Sequence, residues 1–239
     1  MTQKYLISII IPVLNEAVTI EKTLDRLKDN PNIEIIVVDG GSSDRTIDLA
    51  KKMGVTVITV SNLGRASQMN AGAAIAKGDY LLFLHVDTQL PANYPELVID
   101  TLSQPQVIAG AFELAIGGAA KSLRLVEILV KMRSHWFSLP YGDQAIFLTK
   151  KVFTEIGGFP DLPIMEDFEL IQRLKRQGKI AIAPAQVITS PRRWQKLGVL
   201  QTTLINQLII IGYYLGISPI TLRNFYRGIG SRQREIDTN

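Results

Sequence analysis

The sequence predicts an α/β protein: a doubly wound, mostly parallel central sheet flanked by helices, followed by a helical C-terminal segment. Three observations carry this. Short apolar runs alternate with helical patterns through residues 5–84, the runs are continuously apolar, and residues 197–222 contain no charged side chain. Continuous runs suit strands buried on both faces, as in a parallel sheet covered by helices. The strand–helix repetition supplies the crossovers that such a sheet needs.

The first strands are expected at residues 5–11, 33–38, 55–60 and 80–84. Between the first two, Ala17, Ile20, Leu24 and Leu27 recur at helical spacing, with Glu21, Lys22, Asp25 and Lys28 on the other face. A second helix is expected to start after Ser42, as its N-cap, and to stop at Gly54 with Lys51 and Lys52 in its last turn. A third, rich in small residues, covers about 66–76. Residues 107–114 and 145–149 read as further strands. Leu125, Ile128, Met132 and Trp136 form one stripe of a helix that carries Arg124, Glu127 and Lys131 opposite, and another helix runs from near Glu166 to before Gly178.

A chain of 239 residues, 46% hydrophobic and 20% charged, is long and apolar enough for one domain with a sizeable core. The absence of cysteine excludes a disulfide framework and a thiolate metal site, and fits the reducing cytoplasm. The first residues lack the apolar stretch and cleavage site of a signal peptide. The net charge of +4 is uneven. Residues 192–239 hold seven Arg/Lys against Glu235 and Asp237, giving +5, so residues 1–191 carry 19 basic and 20 acidic side chains, giving −1. A basic end suits anionic lipid or a phosphorylated ligand. No basic–aromatic interleaving or nucleic-acid motif is present, so nucleic acid is not expected as a partner.

Within residues 197–222 the fully apolar core is only 208–217, and Gln201, Asn206 and Gln207 interrupt the rest. That falls short of the roughly 20 apolar residues of a spanning helix. The segment is expected to pack through Leu204, Leu208, Ile211 and Leu215 onto the body or a second subunit, or to lie as an interfacial helix against a membrane.

Ligands of open α/β sheets bind beyond the carboxyl ends of the strands. Those ends here read Pro12-Val13-Leu14-Asn15-Glu16, Asp39-Gly40-Gly41-Ser42-Ser43-Asp44 and His85-Val86-Asp87. Asp39 can accept hydrogen bonds from a base or ribose, or it can close an Asx-turn on Gly41 and Ser42. Asp87 can share a hard divalent cation with a diphosphate. His85 falls on the same side if the strand continues, as a second ligand, or else bonds a backbone carbonyl. Glu166 and Asp167 complement a helix N-terminus, or one of them takes the proton of an attacking hydroxyl. Arg192-Arg193-Trp194 can clamp a diphosphate or form a solvated turn, and the small residues of 64–72 allow either ligand approach or packing on the sheet. Neither G-x-G-x-x-G nor a Walker A pattern occurs, which weighs against dehydrogenases and P-loop enzymes.

In this order the motifs over residues 5–195 resemble the family 2 glycosyltransferases, an inverting group with the GT-A fold. PVLNE (residues 12–16) is similar to that family's opening nucleotide-binding motif, which implies donor contacts for Pro12, Asn15 and Glu16. Residues 37–44 are similar to its second motif and imply a base contact for Asp39. Asn70 and Gly72 match its A-R-N-x-G segment, with Met69 at the usual arginine and Arg65 one helical turn earlier. His85-Val86-Asp87 stands at the D-x-D metal motif, Glu166-Asp167 at the E-D motif of the catalytic base, and Arg192-Arg193-Trp194 at the later R-W motif without its usual glutamine. FLHVDT, Tyr141-Gly142-Asp143-Gln144 and the RRW turn resemble a short stand-alone subgroup associated with radical-SAM/selenodomain genes and arsenosugar biosynthesis.

The resemblance implies a catalytic domain over residues 1–195, with a donor half to about 90 and an acceptor half beyond, and a helical segment over 196–239. It implies an inverting, hexosyltransferase-type enzyme that uses Mn²⁺ or Mg²⁺ and a nucleotide-diphosphate sugar, expected to be UDP-linked. The acceptor is a small molecule or lipid hydroxyl. Peripheral membrane contact or a homodimer through the last segment, and a place in the cytoplasm or at the inner membrane face, complete the expectation. A nucleotidyltransferase on a similar sheet would release pyrophosphate instead of a nucleoside diphosphate. An inactive nucleotide-sugar-binding or membrane-docking module would release neither.

Overall fold

The computed structural model describes residues 6–28, 30–61 and 64–236, with all their side chains except those of 193, 196, 227 and 229–236. One eight-stranded sheet has the order β3-β2-β1-β4-β7-β6-β8-β5. Strands β1 (Ile7–Val13), β2 (Ile33–Asp39), β3 (Thr56–Thr59) and β4 (Tyr80–Phe83) are mutually parallel. Strand β7 (Phe147–Thr149) runs antiparallel to β4 and to β6 (Val107–Ile116). Strand β8 (Lys179–Thr189) runs parallel to β6, and the short β5 (Thr88–Gln89) pairs antiparallel with its end.

The continuous apolar runs are explained by two cores. Ile9, Ile11 and Val37 enter one cluster while Ile10, Ile36 and Val38 enter the other, so successive residues of β1 and β2 are buried on opposite faces. Helices α1 (Ile20–Asp25), α2 (Thr46–Lys52) and α3 (Arg65–Ile75) make the crossovers. Helix α3 lies close on the sheet because of Gly72: a Cβ there would stand 2.6 Å from Ile10 Cγ2 and 2.9 Å from Val38 Cγ2. The small residues of this helix therefore serve packing. At the edge, β3 is half exposed and not buried on both faces, because no strand lies beyond it.

Helix α2 starts four residues after Ser42, with Arg45 at the N-cap. Ser42 accepts the backbone N–H of Asn15 instead, and Asp44 receives that of Thr46. Helix α4 (Tyr94–Leu102) and the long β8 lie outside the elements expected from sequence. In β8 the apolar pattern is broken by Pro184 and Gln186. The register steps from Phe112–Ala183 to Glu113–Gln186, so Pro184 sits in a bulge where its missing N–H breaks no ladder bond.

Helix α5 (Lys121–Phe137) forms, but its inner face is Leu123, Val126 and Val130, with the charged side chains reaching the sheet from beside them. Glu127 accepts the Ile116 N–H, Arg124 donates to the Ile116 and Gly118 carbonyls, and Lys131 pairs with Glu113 at 3.0 Å. Leu125, Ile128, Met132 and Trp136 consequently face out. After a single 3₁₀ turn (Gly142–Gln144), α6 (Lys150–Glu155) and α7 (Glu166–Lys175), the C-terminal segment is divided into α8 (Arg192–Leu197), α9 (Val199–Tyr214) and α10 (Pro219–Ile236). Among the described residues no helix is long and apolar enough to cross a membrane. Helix α9 packs on Met165 and Phe168 through Ile205 and Ile209, and on Leu222 of α10 through Gly212. The expected stripe of Leu204, Leu208, Ile211 and Leu215 is the opposite one and is exposed, so it does not pack on the body.

Candidate active site

The strand order reverses between β1 and β4, and a crevice opens beyond their carboxyl ends at such a switch point. On the β1 side the loop is tied to that of β2. Asn15, in a left-handed conformation (φ 55°), takes Ser42 Oγ with its N–H and accepts the Ser43 N–H on Oδ1 at 2.9 Å. Glu16 N–H reaches Thr46 Oγ1 at 2.8 Å, and the Thr46 hydroxyl holds the Asp44 carboxyl below its usual range. Pro12 pairs in register with Val38, beyond the point where β4 leaves β1. Gln68, absent from the sequence expectations, clamps these two strand ends with one amide: Nε2 donates to Val13 O at 2.8 Å and Val38 O at 2.7 Å.

Asp39 is fully buried. Its Oδ2 accepts the Gly41 and Ser42 N–H groups at 2.7 and 2.9 Å, so the Asx-turn is real. Its Oδ1 accepts no hydrogen bond among the described residues. A buried acceptor left unpaired costs about 1–3 kcal/mol, which a ligand N–H or O–H at this strand end would recover.

Beyond β4 the strand does not continue. The chain turns, with Thr88 N–H bonded to His85 O, and the side chains of His85 and Asp87 go to different neighbours. Asp87 Oδ2 lies 3.2 Å from Arg192 Nη2, and the same nitrogen lies 3.4 Å from Glu16 Oε2. His85 lines a narrow cleft with Arg65, Gly142, Glu166 and Asp167. A Cβ on Gly142 would stand 3.2 Å from both His85 Nε2 and Asp167 Oδ2, so a side chain there would press on both groups. His85 and Asp87 thus do not share one side.

Asp167 is fixed by backbone donors. Gly142 N–H reaches Oδ2 at 2.8 Å and Phe168 N–H reaches Oδ1 at 2.7 Å. The turn that presents Gly142 hangs on buried Gln144, whose Oε1 accepts from Arg133, Ser134 and the Tyr141 N–H while Nε2 donates to Phe112 O. Arg133 stacks over the Tyr141 ring at 3.3 Å, and burial pushes the Tyr141 hydroxyl up against the opposing charge of Arg133. The Tyr141–Gln144 motif was visible in sequence, but its role as the carrier of Asp167 was not.

Glu166 is buried beside Arg65 at 3.7 Å. Burial, then the Asp167 charge, raises its carboxyl above the usual range, and Arg65 opposes both. Asn70 is occupied elsewhere: its amide donates to Phe159 O at 2.8 Å and accepts Phe159 N–H at 2.9 Å, tying α3 to the loop before α7. Trp194 packs into the first core and so anchors α8 beneath Arg192. The Arg193 side chain lies outside the described residues.

The donor set fits a hard cation. Asp87 and Glu16 are half-buried oxygen donors at adjacent strand ends, and Mg²⁺ or Mn²⁺ takes one or two carboxylates when phosphate and water fill the remainder. Among the described residues no three His, Asp or Glu side chains gather as a complete metal site.

Comparison with known proteins agrees with this architecture. A mannosyltransferase from Pyrobaculum calidifontis, solved with GDP-Man and Mn²⁺, superposes with TM-score 0.63 at 20% identity over 79% of this chain and 57% of that one. Glucosyl-3-phosphoglycerate synthase from Mycobacterium tuberculosis, solved with Mg²⁺ and UDP, gives 0.60 at 24% identity over 89% and 80%. These likenesses establish the GT-A fold. In sequence, the probable glycosyltransferase YdaM of Bacillus subtilis (strain 168) is 27% identical over 79% of the chain and 52% of its own length. An uncharacterized glycosyltransferase of Haemophilus influenzae (strain ATCC 51907 / DSM 11121 / KW20 / Rd) is 34% identical over 72% and 63%. The chain thus spans less than two thirds of either relative. Residues 8–160, which carry all but the first residue of β1, β2 to β7 and the carboxyl ends of β1, β2 and β4, match Glycosyl transferase family 2, and the chain belongs to that family.

Proposed function

We propose that the protein is an inverting glycosyltransferase that moves a sugar from a nucleotide-diphosphate donor, UDP-linked by preference, to an acceptor hydroxyl. One observation carries this: the short segment from His85 to Asp87 joins a donor-side cluster (Glu16, Asp87, Arg192) to an acceptor-side cleft holding Asp167. A substrate laid across the switch point would have its diphosphate at one and its sugar at the other. The buried Asp39 Oδ1 supports a base or ribose contact at the far end of the donor.

In this reading Asp167 accepts the proton of the acceptor hydroxyl, whose oxygen forms a bond to the anomeric carbon from the face opposite the leaving group. The anomeric C–O bond breaks and its electron pair leaves with the nucleoside diphosphate. Gly142 N–H keeps Asp167 Oδ2 aimed, leaving its remaining lone pair for the incoming proton. Arg192 exchanges its carboxylate partners for phosphate oxygens, a charge-assisted contact of the same kind. Asp87, with Glu16 beside it, would hold the cation, which when bound supplies charge stabilisation at the departing diphosphate. Neighbours of the same fold were solved with UDP-GlcNAc, or with Mn²⁺ and UDP-Glc, which supports the donor class. The subgroup reading of the acceptor rests on the FLHVDT, YGDQ and RRW motifs alone.

Calorimetric titration of UDP-sugars with Mn²⁺, Mg²⁺ or chelator tests the proposal, with product analysis alongside. Metal-dependent binding that Asp87→Ala weakens, and release of nucleoside diphosphate, are expected. Equal affinity under all three conditions would remove the metal role. Pyrophosphate as product would make the protein a nucleotidyltransferase.

A further inference from the structure

Many of the exposed apolar side chains lie on two helices. On α5 they include Trp136 (72% exposed) and Phe137, and on α9 Leu204, Leu208 and Tyr214, with Leu215 at its end. These two helices meet at the C-terminal end of α7. Lys175 Nζ of α7 bonds Phe137 O at 2.7 Å, and Gln172 of α7 reaches the Tyr214 hydroxyl at 3.3 Å. The ends of the two helices are therefore joined through α7, beside the exposed Lys175 and Arg176. This junction also reaches the proposed base, because Tyr213 and Tyr214 stack edge-on against Phe168, the residue after Asp167.

Its charge is as uneven as its polarity. From residue 170 to residue 234 the sequence contains eleven Arg/Lys and no Asp or Glu. A two-fold dimer through this face would set the exposed Lys175 and Arg176 against those of its own copy, since an isologous interface pairs a patch with itself. An anionic surface would not meet this repulsion. Exposed Trp and Tyr beside Lys and Arg, on helices too short to span, is the composition of a surface that lies in the headgroup region.

We propose that the outer faces of α5 and α9, with the end of α7, dock the protein on a bilayer containing anionic lipid. The aromatic and leucine side chains enter the interface, and Lys175 and Arg176 meet lipid phosphates. The acceptor-side cleft then opens beside the lipid surface. Docking does not depend on the glycosyltransferase reading and is measured without donor.

The full chain is sedimented with phosphatidylcholine vesicles, with and without phosphatidylglycerol, at low and high salt. Binding that requires the anionic lipid and falls with salt is expected, since attraction to a charged leaflet is screened. Lys175→Glu combined with Arg176→Glu should weaken it by at least about tenfold, at about 1 kcal/mol per basic residue. Leu204→Ser with Leu215→Ser should weaken it too, while Val18→Asp, at a 97% exposed site outside the patch, should bind as the parent does. Of the two tryptophans only Trp136 is exposed, so its emission should shift blue on binding, and Trp136→Phe should abolish the shift. Binding that ignores these variants, or leaves Trp136 emission unchanged, would overturn the proposal. No binding together with a solution dimer broken by the leucine variants would give the face to a second copy.

Discussion

The β1–β4 half and the α5/α9 shell have similar apolar patterns and opposite outcomes. In the first, Ile9 to Ile11 and Ile36 to Val38 are buried on both faces, so the direction of each side chain does not alter its environment. In the second, a helix has one inner side, and which stripe takes it depends on the neighbour. For α5 the neighbour is the end of β6, whose Ile116 N–H and carbonyl and whose Glu113 need polar partners. Arg124, Glu127 and Lys131 reach these groups from the flank of the helix, Leu123 and Val126 enter the core, and Leu125 and Trp136 are left outside. Periodicity can offer more than one apolar stripe; the neighbour decides which is buried, and its unpaired groups take the charges that flank it.

The largest expected effect that sharpens this contrast is catalytic. Asp167→Asn keeps the shape but has one acceptor oxygen, so it retains only one of the hydrogen bonds from Gly142 and Phe168. It also removes the basicity, so turnover should fall about 10²–10⁴-fold with donor affinity little changed. Steady-state kinetics with calorimetry separates the two, and near-normal turnover would move the role to Glu166. Next comes packing in the two-faced half. Gly72→Ala forces a methyl against Ile10 and Val38 and should destabilise by about 1–3 kcal/mol. Thermal unfolding should show a fall of about 2–4 °C per kcal/mol for a chain of this size.

A smaller effect tests the electrostatics between the halves. Because burial raises the Glu166 pKa, the native state holds its proton above the ordinary pKa of about 4.5, where the unfolded chain releases it. Stability from this group is complete below that pH and declines as pH rises through the folded pKa. Glu166→Gln should therefore raise Tm by a few degrees near pH 8 and leave it unchanged near pH 4. A gain that persists at pH 4 would show that the effect is not titration. The smallest effect belongs to the shell: Leu204→Ser, at a 60% exposed position, should shift stability by no more than about 0.5 kcal/mol. A loss comparable to that of Gly72→Ala would mean that the face is covered in solution and would erase the contrast.

Much of the donor half was legible in the residues. Strand runs, the crossover helices and the polar groups at three strand ends follow from local chemistry: apolar length, glycine stops and carboxylates after buried strands. Asp39 was readable both ways: the Asx-turn forms on Oδ2, while Oδ1 is left without a partner among the described residues, where the proposed ligand contact would fall. Less was legible where a side chain's partner lies far along the chain. Asn70 has donor-motif spacing, yet its amide is bound to Phe159, 89 residues on. Ser42 looks like an N-cap, yet it serves Asn15.

By itself the sequence determined the sheet-and-crossover architecture and the kind of group at each strand end. These depend on hydrophobic periodicity and on residues adjacent in the chain, which act over a few positions. Tertiary structure alone decided the rest. It ended β4 at Phe83, so that His85 joined Asp167 while Asp87 joined Arg192. It hung Gly142 on a buried glutamine to aim Asp167, and it chose Leu123 and Val126 of α5 and Ile205 and Ile209 of α9 for burial over the stripes that the periodicity pointed to. The reason is the same in each case: a buried polar group must find its partner wherever the fold brings one, and no local pattern records where that is.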